Sequence, residues 1–152
     1  MYKQILTLLL STFLCSALYA VPHNKDSVIS DKKQSIYWQD TPIPKKKNRK
    51  DWDDAASYCD ALVLNGLEHW RLPTFNELLS IVDYRHSYPA INPVFSYTAE
   101  GTYWTATDFS ATRSRAWTID FRTGKTYYSY KTTNHAVRCV SDFETKTAKD
   151  EK

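Results

Sequence analysis

Trp70-Arg71-Leu72-Pro73-Thr74-Phe75-Asn76-Glu77-Leu78 decides how the chain folds. Thr74 and Glu77 stand three residues apart and form a capping box. The threonine side chain accepts from the Glu77 amide, and the glutamate reaches back to the Thr74 amide. Beyond the box, Phe75, Leu78, Leu79 and Val82 recur at helical spacing and supply one apolar face. The spacing predicts a helix that starts at Thr74 and ends near Tyr84.

A second helix is predicted upstream. Asp51 is a good N-cap, and Asp53 and Asp54 sit in the first turn, where the helix dipole favours acids. Trp52, Ala55, Ala56, Cys59, Leu62 and Val63 form its apolar stripe, and Asn65-Gly66 is expected to stop it. Before that helix, residues 41–50 hold two prolines and five basic residues and read as a loop. Residues 35–40, with Ile36, Tyr37 and Trp38, read as a short strand, and residues 21–34 as a flexible leader.

Downstream of the capping box, residues 85–101 hold Pro89, Pro93 and Gly101 and read as an irregular connection. The period then changes to two. Strands are expected over residues 103–107, over 116–121 with Trp117, Ile119 and Phe121 on one face, and over 126–130. Arg122-Thr123-Gly124-Lys125 is a hairpin turn in which Gly124 takes positive φ. A last strand is expected over residues 135–141, with Val137 and Cys139 on one face, followed by a charged, frayed tail over 144–152. The order is one strand, two helices and an antiparallel meander: an α+β domain over residues 35–143.

The first 20 residues have the pattern of a secretory signal: Lys3, an apolar run from Ile5 to Leu14, then small residues ending in Leu18-Tyr19-Ala20. The run is too short to span a bilayer core of roughly 30 Å, so cleavage before Val21 is expected, with no stable membrane insertion afterwards. Cys15 follows Leu14, which is not the small residue that precedes a lipidated cysteine. Cleavage leaves 19 basic and 17 acidic residues. That bias is too weak to argue for nucleic acid or an anionic membrane. It also leaves two cysteines, Cys59 and Cys139, which in an oxidising compartment most simply pair; the alternative is two free buried thiols. A bridge closing a loop of this length stabilises by about 4 kcal/mol. Five Trp, eleven Tyr and six Phe are enough to build a core.

Taken in order, Tyr37-Trp38-Gln39-Asp40, Trp52…Ala55-Ala56…Tyr58-Cys59, Trp70-Arg71-Leu72-Pro73-Thr74…Glu77-Leu78, Tyr103-Trp104-Thr105, Ala116-Trp117…Asp120-Phe121 and Val137-Arg138-Cys139-Val140 resemble the Lcl C-terminal domain family, named for a Legionella collagen-like protein. The resemblance covers residues 36–141. It implies a C-type-lectin-like fold, shared with formylglycine-generating-type domains, in which two helices flank an antiparallel β-sheet. It also implies one core disulfide from the first helix to the last strand, the places of Cys59 and Cys139. Trp70, Arg71, Leu72, Pro73, Thr74, Glu77, Trp104 and Trp117 are then structural signature residues.

Fold does not transfer function, so each chemistry is weighed on its residues. A calcium-dependent sugar site needs converging oxygen ligands. Trp117-Thr118-Ile119-Asp120 lacks the asparagine of such a strand, and Ile91-Asn92-Pro93 has no preceding acid. Formylglycine-type oxidation needs a reactive cysteine pair, whereas both mature cysteines are taken by the core bridge. His23, His69, His86 and His135 show no ligand spacing, and no nucleophile motif is present. No catalytic residue, metal or cofactor is therefore assigned. Polyanion binding has more support: Arg113, Arg115, Arg122, Lys125, Lys131 and Arg138 lie in the C-terminal β region beside Tyr127, Tyr128 and Tyr130. Arginine grips sulfate or carboxylate with two prongs, and tyrosine stacks on sugar faces. More simply, the same residues form a solvated sheet face over core tyrosines. The basic run over 45–50 is a second candidate, or a plain loop. The expectation is an exported (periplasmic or secreted) non-catalytic binding or adhesion module for an acidic polysaccharide or a surface protein. A structural envelope component docked to a larger complex is the alternative, and an uncharacterised enzyme the next.

Overall fold

The computed structural model describes residues 27–42, 49–99 and 101–143. The expected signal segment, the first part of the leader, residues 43–48 of the 41–50 loop and the charged tail lie outside the described residues. Eleven elements follow in order: β1 (Val28–Asp31), β2 (Ile36–Gln39), β3 (Arg49–Lys50), α1 (Trp52–Asp60), β4 (Trp70–Arg71), α2 (Phe75–Ser80), β5 (Thr102–Asp108), β6 (Arg115–Asp120), β7 (Lys125–Tyr130), β8 (His135–Ala136) and β9 (Val140–Asp142). They make an α+β domain with two sheets, ordered β1-β2-β9-β4 and β3-β8-β5-β6-β7. Every strand pair is antiparallel except β5 with β8.

Both helices start where the capping residues say. Asp51 accepts from the Asp54 amide at 2.9 Å. Thr74 and Glu77 form the reciprocal box, with the Thr74 amide donating to Glu77 Oε2 at 2.7 Å. Both helices end early. α1 stops at Asp60, because Asn65 and Gly66, with φ of 52° and 76°, instead make a tight turn that pairs Leu64 with Leu67. α2 stops at Ser80, whose hydroxyl donates back to the Glu77 carbonyl and competes with the helical ladder.

Three further readings are corrected. The flexible leader expected over 21–34 contains a strand: β1 pairs with β2, and Asp31 closes the turn by accepting from the Lys33 and Gln34 amides. The loop expected over 41–50 ends in the short strand β3, paired with β8. The single strand expected over 135–141 is two, β8 in one sheet and β9 in the other, with 137–139 crossing between them. Residues 136–141 are all buried, so the crossing has no solvent face and shows no alternation.

Alternation on β5 separates two cores. Tyr103 joins Ile36, Trp38, Leu78, Ile81, Ile119 and Phe121, and Trp104 joins Ala55, Cys59, Trp70, Leu72, Ala116 and Val137. Successive strand residues face opposite ways, so α2 and α1 pack on opposite faces of the five-stranded sheet. Cys59 on α1 is bonded to Cys139 beside β9, with Cα atoms 5.6 Å apart. The sequence signature is a clamp: β4 pairs with β9, and Arg71 grips Glu77 with two 2.8 Å bonds and Asp142 with bonds of 3.1 and 2.7 Å. Burial works to raise the Glu77 pKa, but bonds from Arg71 and the Thr74 amide outweigh it and hold the carboxyl below its usual range. Arg71 lowers Asp142 likewise.

Candidate functional site: the β6–β7 hairpin

β6 and β7 pair in register from Arg115↔Tyr130 to Asp120↔Lys125. Their turn is the one expected: Gly124 takes φ of 74°, and a Cβ there would lie 2.7 Å from Tyr84 and Val82. The segment after α2 thus packs onto the turn, and the Tyr84 hydroxyl donates to the Gly124 carbonyl at 3.2 Å. β7 is the sheet edge, and Tyr127, Tyr128 and Tyr130 are exposed.

Register decides which of the expected residues act together. Arg115, Trp117, Tyr128 and Tyr130 project from one face. The Arg115 guanidinium lies 4.2 Å from the Tyr130 ring centroid and 5.3 Å from that of Tyr128, and it donates to the Tyr130 hydroxyl. Phe109 stacks on Tyr128 at 4.1 Å and meets the edge of Trp117, which packs on Phe75 of α2. These rings form a continuous platform that runs from the α2 core out to Tyr128, 48% exposed, and Tyr130, 54% exposed. Phe109 was missed in the sequence because it sits in the loop between two strands; its only signal is an aromatic residue in an otherwise polar loop.

The remaining expected residues are elsewhere. Lys125 alternates to the opposite face, across from Asp120. Lys131 bonds Asp108 at 2.7 Å and lies 3.9 Å over the Trp52 ring. Arg122 binds the buried Asp120 carboxylate through Nε and Nη2 and holds its pKa below the usual range. Arg113 is exposed in the 109–114 loop. The basic and tyrosine positions expected as one patch therefore divide between two faces, a turn and a loop.

Arg138 does not belong to the surface at all. It is 2% exposed and bonds the Gln39 carbonyl at 2.9 Å, Asp40 Oδ1 at 3.3 Å, Thr98 Oγ1 at 3.3 Å and the Tyr97 carbonyl. Its guanidinium carbon is 4.5 Å from the Phe95 ring centroid. Asp120 and Asn92, weighed as oxygen ligands for calcium, are engaged locally: Asp120 by Arg122, and Asn92 by the Val94 amide at 3.0 Å. Among the described residues, no three His, Cys, Asp or Glu side chains are placed to hold a metal ion, and no helix is long and apolar enough to cross a membrane.

No curated protein matches the sequence. The Lcl C-terminal domain matches residues 27–141, from the start of β1 through most of β9, and the chain belongs to that family.

Proposed function

We propose that the chain is an exported, non-catalytic binding module of C-type-lectin-like fold that holds an acidic polysaccharide on the Arg115–Tyr128–Tyr130 face. The observation that carries this is the half-buried Arg115 guanidinium stacked on the exposed Tyr128 and Tyr130 rings and backed by Phe109 and Trp117. Flat rings suit sugar faces, and the arginine supplies a forked donor for carboxylate or sulfate. Because the rings are anchored to the core, little side-chain freedom is lost on binding. Family membership agrees with a binding or adhesion role. The helices on opposite sheet faces and the disulfide from Cys59 on α1 to Cys139 beside β9 support the lectin-like assignment. The disulfide and the signal-like residues 1–20 support export.

Heparin–agarose tests the site. Arg115→Gln with Tyr130→Ser should elute at clearly lower salt than the parent, whereas Lys125→Gln on the opposite face should elute nearly unchanged. Equal retention of the parent and the double variant rejects the site.

The exposed edge of β7 favours a second reading, docking to a larger envelope partner by strand addition. Its six residues contain no proline and no bulge against β6. It predicts a stable protein partner on purification and no glycan signal.

A further inference from the structure

The row of side chains along β7 does not end at Tyr128. Two residues nearer the turn, on the same face, stands Thr126, exposed and polar, opposite Ile119. Gly124 follows in the turn. It carries no side chain and sits at a hairpin tip, yet it is buried. Val82 and Tyr84 cover it: a Cβ on Gly124 would lie 2.7 Å from Val82 Cγ1 and 2.7 Å from Tyr84 Cε1. A ring from the segment after α2 therefore sits at the tip, where the hairpin itself supplies none.

The core fixes which side that ring is on. Ile119 shares its face of β6 with Arg115 and Trp117. Val82 packs against the cluster that holds Ile119 and Phe121, and Phe75 of α2 packs on Trp117. Tyr84, two residues after Val82, thus reaches the tip from the side on which Tyr128 and Tyr130 project. Its hydroxyl is engaged by the Gly124 carbonyl, which holds the ring in place, and the residue is still 71% exposed. A ring held in this way loses little freedom when a flat partner stacks on it. Lys125, beside Gly124, is about 16 Å from Tyr130 by strand rise. Rings therefore stand at both ends of one strip, with the Thr126 hydroxyl between them.

We propose that Tyr84 is a second contact point of the ligand face, and that the face takes a stretch of acidic sugar chain longer than a disaccharide. The inference rests on the acidic-polysaccharide reading of the Arg115–Tyr128–Tyr130 face. A disaccharide held by Arg115 covers one end of the strip and leaves Tyr84 bare. A longer chain touches both ends, and its second contact forms within a molecule already bound, at high effective concentration. Rings separated by a polar threonine offer stacking faces without a continuous apolar groove, which suits a hydroxylated chain.

Calorimetric titration with size-defined heparin di-, tetra- and hexasaccharides tests this. The parent should bind the hexasaccharide roughly tenfold or more tighter than the disaccharide. Tyr84→Ser should bind the disaccharide as the parent does and the hexasaccharide roughly three- to tenfold more weakly, the size of one aromatic contact. Tyr84→Phe keeps the ring, loses only the bond to Gly124, and should bind the hexasaccharide nearly as the parent does. The inference is overturned if Tyr84→Ser binds the hexasaccharide as tightly as the parent, or if Tyr84→Phe loses as much as Tyr84→Ser. It is also overturned if Tyr84→Ser loses equally for both lengths, since Tyr84 would then support the hairpin and not touch the chain. Those outcomes leave the Arg115 face standing. No binding at any length, or parent-like binding by Arg115→Gln with Tyr130→Ser, rejects the face itself and Tyr84 with it.

Discussion

Arg138 and Arg115 belong to the same C-terminal β region and have opposite fates. Arg138 is enclosed between the end of β2 and the 95–98 segment, where Asp40, two carbonyls and a threonine hydroxyl converge on it. Asp40 in turn accepts from the Ser96 and Tyr97 amides at 2.8 and 3.0 Å. The buried pair thereby stitches the irregular connection after α2 to the four-stranded sheet. Arg115 has no carboxylate partner among the described residues; its neighbours are tyrosine rings at a sheet edge. A guanidinium builds the fold where acceptors surround it and remains available to a ligand where only rings do.

The largest expected effect breaks the buried side of that contrast. Arg138→Met strands the Asp40 carboxylate and should cost about 3–5 kcal/mol. Thermal unfolding should then fall by roughly 10–20 °C, with heparin retention at low temperature unchanged. A loss under 1 kcal/mol would show that the pair is not structural. Next, replacing Cys59 and Cys139 together by alanine should cost about 4 kcal/mol in urea titration, again without touching the aromatic face.

A smaller effect concerns pH. The folded-state pKa values of Glu77 and Asp142 lie below their unfolded values. Their contribution is therefore complete above the usual carboxylate pKa, near pH 4, and is lost as pH falls through the lowered folded values. Arg71→Gln should flatten this acid limb of the melting-temperature profile; an unchanged limb would remove the clamp from the account. The smallest stability effect belongs to the exposed side. Arg115→Gln with Tyr130→Ser should cost only about 1 kcal/mol, the size of an exposed cation–π contact, while weakening heparin retention the most.

What was legible in the sequence was local. Thr74 and Glu77 signal a helix start through contacts three residues apart, and Gly124 signals a turn through its own φ. Asn65-Gly66 was read as a helix stop because the pair serves equally well as a tight turn, and only the Leu64–Leu67 pairing chooses between them. Residues 135–141 read as one strand because both sheets demand extended backbone; the crossing is set by what packs around 137–139. Arg138 and Arg115 could not be told apart, since Asp40 and Tyr97 lie 98 and 41 residues from Arg138. The aromatic face was half visible: Tyr128 and Tyr130 were named with Arg115, but strand alternation removes Lys125 from their side and adds Trp117.

Whether Arg115, Trp117, Tyr128 and Tyr130 form the ligand face is read by a heparin-oligosaccharide footprint in NMR. Saturable shifts should concentrate on the Arg115 guanidinium, the Trp117 indole and the Tyr128 and Tyr130 rings, and weaken as salt screens the charge. Shifts centred on the basic loop over 45–50, with these four positions silent, would contradict it.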